Sequence, residues 1–180
     1  MIRKNLLKKT ANKLRNLADR IELTDFEEKK TISIKFSTMN NKIDEVYNYI
    51  SKWEKENKGN RFIYILKASN KTDVNRCYEL YSIAKSKKVK NRAYARINQI
   101  SNIFYVGSSS SLGNRIKEHL GYGSKGTYAL NLKYWVKDIP GGVNILIWRF
   151  SKKISQDVIQ AIEDGLWAKY KPMFGRQGAK

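Results

Sequence analysis

Cysteine, histidine and acidic residues are all scarce in this 180-residue chain. Cys77 stands alone, so there is neither a disulfide framework nor a cysteine-based zinc site. A single thiol fits a reducing compartment, and the expected location is the cytoplasm of a bacterial or phage-infected cell. No apolar run reaches the ~18 residues that a membrane span needs. The opening stretch MIRKNLLKKTANKLRNLADRIEL has no apolar core, which excludes a secretory signal. It is basic and amphipathic like a transit peptide. Asp19, Glu22 and the scarcity of hydroxyl residues favour an ordinary helix.

The shortage of acids leaves 16 Asp and Glu against 36 Lys and Arg, a formal charge of +20. Most of that excess lies beyond residue 60. Such a balance calls for a polyanionic partner, most simply DNA or RNA, with acidic membranes second. At 41% hydrophobic residues the chain can bury a real core, so it is not a disordered basic tail.

Ile2, Leu6, Leu7, Leu14, Leu17, Ala18 and Ile21 recur at helical spacing. Arg3, Lys4, Lys8, Lys9, Lys13, Arg15 and Arg20 occupy the rest of that helix. It can pack on the domain, lie along DNA, or form a dimer seam. TISIKFS at 31–37 alternates like a strand, and a helix over about 41–56 carries Ile43, Val46, Tyr47, Ile50 and Trp53. The polar ENKGN at 56–60 reads as the boundary of an N-terminal extension, with a second region over 61–180.

Three more strands follow: RFIYILKA at 61–68, IFYVG at 103–107 and VNILIWRF at 143–150. The pattern from about 73 to 99 is helical and very basic, with Lys85, Lys87, Lys88, Lys90, Arg92 and Arg96 and no acid among them. Short helical pieces are expected at 111–121 and around Leu132. A last helix over about 155–170 stops before Pro172.

FYVGSSSSLGNRIKEHLG joins a strand end to a helix through a glycine and four serines, the composition of a phosphate-binding turn. It is not a P-loop. Gly107 and Gly113 are one residue too far apart, and Asn114 stands where the lysine must be. Arg115 and His119 lie four apart and share a helix face, beside the buried side marked by Leu112, Ile116 and Leu120. In the last helix Glu163 falls among Ile159, Ile162 and Leu166. A carboxylate there is costly unless a metal ion or an arginine meets it. Taken singly, Tyr64 and Tyr105 read as strand packing residues, His119 as a cap and Glu163 as a half-exposed glutamate.

Taken together, F-I-Y at 62–64, Y-V-G at 105–107, Arg115, His119 and Glu163 before K-P at 171–172 resemble the GIY-YIG nuclease family. The resemblance spans residues 61–178. It implies an α/β (α+β) fold, a small three-stranded antiparallel sheet flanked by helices. The N-terminal helical extension and a basic helical insertion at about 70–100 are additions to it. It implies hydrolysis of a DNA phosphodiester with one Mg²⁺ or Mn²⁺ held by Glu163. Arg115 would hold the scissile phosphate, and Tyr64, aided by His119, would help deprotonate the attacking water. Tyr105 would orient that water or the phosphate. Ser108 and Ser109 would touch the DNA backbone, and so would the insertion through Lys85, Lys87, Lys88, Lys90, Arg92 and Arg96.

Two positions depart from the family pattern. Phe62 replaces the glycine of the first triplet. Gly175 replaces the asparagine after K-P, leaving Gln177 or a backbone group to take its place. A compact chain without zinc cysteines fits a Type II restriction endonuclease acting on double-stranded DNA as a homodimer. A homing, mobile-element or phage endonuclease stays open, as does a DNA-binding module without catalysis.

Overall fold

The computed structural model describes residues 4–178; Ile2 and Arg3 lie outside the described residues. Among the described residues nine α-helices and β-strands follow one another: α1 (Lys4–Glu22), β1 (Glu28–Lys35), α2 (Met39–Glu56), β2 (Arg61–Ala68), α3 (Val74–Ser86), β3 (Ile103–Ser109), α4 (Leu112–Leu120), β4 (Gly142–Phe150) and α5 (Gln156–Tyr170). The fold is mixed α/β, with one antiparallel sheet in the order β1-β4-β2-β3.

The sheet has four strands, not the three expected. The fourth is β1, from the region read as an extension. It runs along β4 from Glu28↔Arg149 to Lys35↔Gly142 and covers an edge that would otherwise present unpaired amides and carbonyls. Ion pairs from Arg149 to Glu27 and Glu28 and a hydrogen bond from Trp53 Nε1 to Glu28 tie this edge to α2. Ile43, Val46, Ile50 and Trp53 of α2 share a core with Leu112, Ile116 and Leu120 of α4 and with Phe62, Tyr64 and Leu66 of β2. Residues on both sides of position 60 thus build one core.

Both faces of β2 are buried. Phe62, Tyr64 and Leu66 face the α2–α4 side, while Ile63 and Ile65 pack toward α5 with Ile159, Trp148 and Leu166. A strand covered on both sides reads as a near-continuous apolar run, as RFIYILKA does. Phe62 packs on the Trp53 ring, 5.3 Å between centroids.

The helix expected over 73–99 ends at Ser86. Asp73 caps its start by accepting from the Arg76 amide. Beyond it Lys88, Lys90 and Asn91 adopt left-handed φ values of 45°, 59° and 54°. The chain then runs extended, with Tyr94 bridging Ala129 and Ile97 bridging Phe174. The cause is tertiary. Tyr81 donates to the Ala95 carbonyl at 3.0 Å and packs on Phe174 with 3.9 Å between ring centroids, which draws this stretch into the core. The basic stretch is therefore a helix, a left-handed turn and an extended segment.

The N-terminal helix packs only in part. Leu17 and Ile21 are half-buried, while Leu6, Leu7 and Leu14 stay more than half exposed. Arg20 holds its C-terminal end to α5 through both Asp157 oxygens and the Ser155 hydroxyl. Among the described residues no helix is long and apolar enough to cross a membrane.

Candidate active site

The strand β3 is an outer strand of the sheet, and its side chains alternate between faces. Tyr105 points to the α4 side, while Ser108 points to α5. At this edge a cavity of about 1150 Å³ takes in both sides. Tyr64, Tyr105 and Arg115 wall one part of it, Ser108 and Glu163 the other. Gly107 lies between them. A Cβ added there would meet Tyr64 Oη at 2.7 Å and Tyr105 Cε1 at 2.8 Å, so no side chain fits between the two phenols. Gly107 pairs across the strands with Tyr64, which fixes that closeness.

Tyr64 and Tyr105 stack, 6.1 Å apart and 9° from parallel. Arg115 binds both: Nε donates to Tyr64 Oη at 3.2 Å and an Nη donates to Tyr105 Oη at 3.1 Å. Its other Nη donates to Glu118 at 2.8 Å, and a further bond reaches the Tyr128 carbonyl. Burial works against the Arg115 charge, but the phenols and Glu118 more than offset it, so the guanidinium stays charged.

His119 does not face the cavity. It is fully buried behind Tyr64, with Nε2 at 3.0 Å from Tyr64 Oη. The Leu130 amide donates to Nδ1 at 3.4 Å. Burial, reinforced by Arg115, holds the ring well below the usual histidine range, so it is neutral. With Nδ1 accepting, the proton sits on Nε2 and is donated to Tyr64. The Tyr64 oxygen thus receives one proton from His119 and one from Arg115, and its own hydroxyl hydrogen is left to turn toward the cavity. Burial nevertheless pushes the Tyr64 phenol far up, outweighing the lowering by Arg115.

Glu163 is buried on α5, and its carboxylate accepts the Ser108 hydroxyl at 2.5 Å. Burial raises its pKa, and Ser108 only partly restores it. Among the described residues no cation forms an ion pair with it. A desolvated carboxylate beside a hydroxyl oxygen, open to a cavity and short of positive charge, fits one hard divalent cation with an otherwise water-filled shell. Among the described residues there is no group of three or more His, Cys, Asp or Glu that could hold a metal by itself.

The expected DNA contacts divide. Lys85 and Arg96 line the cavity, joined by Arg176. Burial, then Arg176 and Arg96, lowers the Lys85 ammonium. Lys87, Lys88 and Lys90 are exposed on the turn and do not line the cavity. Arg92 is a structural cation: it bonds the Gly123 and Ser124 carbonyls and Asn131 and lies over the Tyr134 ring. Ser109 accepts from the Ser111 amide, which leaves its hydroxyl hydrogen free to donate. Gln177 is exposed and does not line the cavity. At Gly175, φ is +106° and a Cβ would meet the Tyr105 ring at 2.8 Å, which excludes an asparagine there. Asn98 binds this loop instead, donating to the Pro172 and Gly175 carbonyls.

Sequence reasoning missed Glu118, Asn98, Arg176 and Leu17. Glu118 is three residues from Arg115 in RIKEH, the spacing of a helix ion pair, and was open to detection. The others reach the site only through the fold. Comparison of the chain with protein-family models, with curated proteins and with solved structures gives no match.

Proposed function

We propose that the protein is a GIY-YIG endonuclease that cleaves double-stranded DNA with Mg²⁺ or Mn²⁺, and within that class a Type II restriction enzyme. The observation that carries this reading is the meeting of Tyr64, Tyr105, Arg115 and Glu163 in one cavity, with His119 behind Tyr64. They come from β2, β3, α4 and α5, and simple packing gives no reason for a buried unpaired carboxylate and a half-buried guanidinium to converge there. A charge of +20 supplies the attraction for a polyanion.

Glu163 would hold the ion, with Ser108 fixing the carboxylate's orientation. The ion would offset charge on the phosphate and acidify a bound water. Arg115 spends four of its five N–H donors on protein acceptors, so one Nη1 hydrogen is free for the phosphate, and a second contact would displace Glu118 or the Tyr128 carbonyl. In that position the guanidinium offsets the charge that grows on the phosphoryl oxygens. Burial makes Tyr64 a poor base, so its role is to direct its hydroxyl at the water or phosphate. His119 acts through Tyr64 as a positioning residue. Tyr105 fixes the plane of Arg115, whose guanidinium carbon lies 5.7 Å from its ring centroid.

Cutting both strands of a two-fold site calls for a homodimer, and the absence of disulfide potential suits the cytoplasm. The test is incubation with phage DNA and Mg²⁺ followed by end sequencing. Discrete fragments sharing one end sequence are expected. Arg115→Ala should retain DNA binding within a few-fold while turnover falls by on the order of 10²–10³. Intact DNA with every divalent ion supplied would remove the catalytic reading.

A further inference from the structure

A second polar cavity, about 260 Å³, adjoins the first. Arg61, Ser108, Ser109, Ser110 and Gln156 line it, with Ile159 as the apolar member. Ser108 and Gln156 line both cavities, so the two are contiguous. Arg61 opens β2 and points to the α5 side, the same side as Ile63. Its Nε is buried, and among the described residues it has no hydrogen-bond partner. No acid pairs with Arg61 there either, whereas Arg20, Arg76, Arg115 and Arg149 each have one. A buried N–H left without an acceptor is costly, and a guanidinium beside hydroxyls suits phosphate oxygens. On α5, Asp157 lines the larger cavity and is already matched by Arg20.

We propose that this pocket is a second phosphate site, which takes the phosphate next to the scissile one on the same DNA strand. The serines order the two sites. Ser108 orients Glu163 at the first, and Ser109 and Ser110 follow it directly into the second. Ser108 donates to Glu163, whereas the Ser109 and Ser110 hydroxyls and Arg61 Nε are donors without another commitment. The identity of the occupant rests on the nuclease reading; the pocket's affinity for phosphate does not.

The test has two arms. In the first, the Nε–Hε NMR signal of Arg61, assigned by its loss in Arg61→Lys, is followed as inorganic phosphate is added to metal-free protein. A saturable shift, retained in Glu163→Gln, is expected. An unmoved signal overturns the pocket, whatever the protein cleaves. In the second, binding of a duplex oligonucleotide in EDTA is measured against salt. Arg61→Ala should lower the slope of log K against log salt by about 0.9, the value for one phosphate contact, and Arg61→Lys should keep it. An unchanged slope in Arg61→Ala overturns the DNA phosphate as occupant. A phosphate shift in a protein that neither binds nor cuts DNA supports the pocket and defeats the nuclease reading alone.

Discussion

Glu163 puts a measurable tension into the fold. Burial raises its pKa above the ordinary 4.5, so the folded state holds that proton more tightly than the unfolded chain does. The sign follows: the carboxylate destabilises the protein once pH exceeds its folded pKa, and protonation relieves this as pH falls. Glu163→Gln keeps an oxygen for Ser108 and removes the charge. It is expected to raise the melting temperature at pH 7.5 in EDTA by a few degrees, since ~1 kcal/mol moves a domain of this size by roughly 2–4 °C. Mg²⁺ should raise the wild-type melting temperature and leave the variant unmoved; differential scanning fluorimetry reads both. His119 works in the opposite sense. Its folded pKa is depressed, so below about pH 6.5 the unfolded chain takes up a proton that the buried ring refuses. Its contribution is intact above that pH and is lost below it, approaching about 1.4 kcal/mol per pH unit. Because Glu163 and His119 respond to acid in opposite directions, the informative quantity is the difference between wild type and His119→Gln. In chemical denaturation at stepped pH, that variant is expected to be less sensitive to acid.

At the scale of elements, α1 is the loosest part of the structure. It buries no residue fully and is fastened mainly by Arg20 to Asp157 and Ser155. Leu17 nonetheless lines the main cavity, so α1 forms part of its wall. An exposed ion pair contributes only about 0–1 kcal/mol to overall stability, so Arg20→Ala should hardly shift the melting temperature. It should instead make residues 4–22 several-fold more sensitive to limited trypsin digestion, read by mass spectrometry. Helical periodicity was enough to find this helix, α2 and α5, and alternation or a continuous apolar run was enough to find the strands. The end of α3 was not visible: lysines at 88 and 90 carry no turn signal, yet they adopt left-handed φ under the pull of Tyr81 and Phe174 on the segment beyond. Tyr64, Tyr105, Arg115 and Glu163 could be assembled from a family pattern. The place of His119 behind Tyr64, and the closing of Gly175 against Tyr105, depend on three-dimensional neighbours that no local spacing reveals. The pairing of β1 with β4 was likewise illegible, because alternation marks a strand without naming its partner.

For the molecule as a whole, that pairing decides what can be removed. A chain starting near residue 24 loses α1 and keeps the sheet; it is expected to fold cooperatively. A chain starting near residue 39 loses β1 as well and bares the β4 edge. It is expected to aggregate on expression, with size-exclusion chromatography separating the two outcomes. The same strand has a consequence for synthesis. Ser33 and its partner Asn144 stand 111 residues apart, a gap that a ribosome fills in roughly 6–20 s. Through that interval the nascent β1 has no strand to receive it, and Glu163 is made later still. A translation that stalls midway therefore releases a chain whose β1 has no partner strand and which lacks Glu163 altogether.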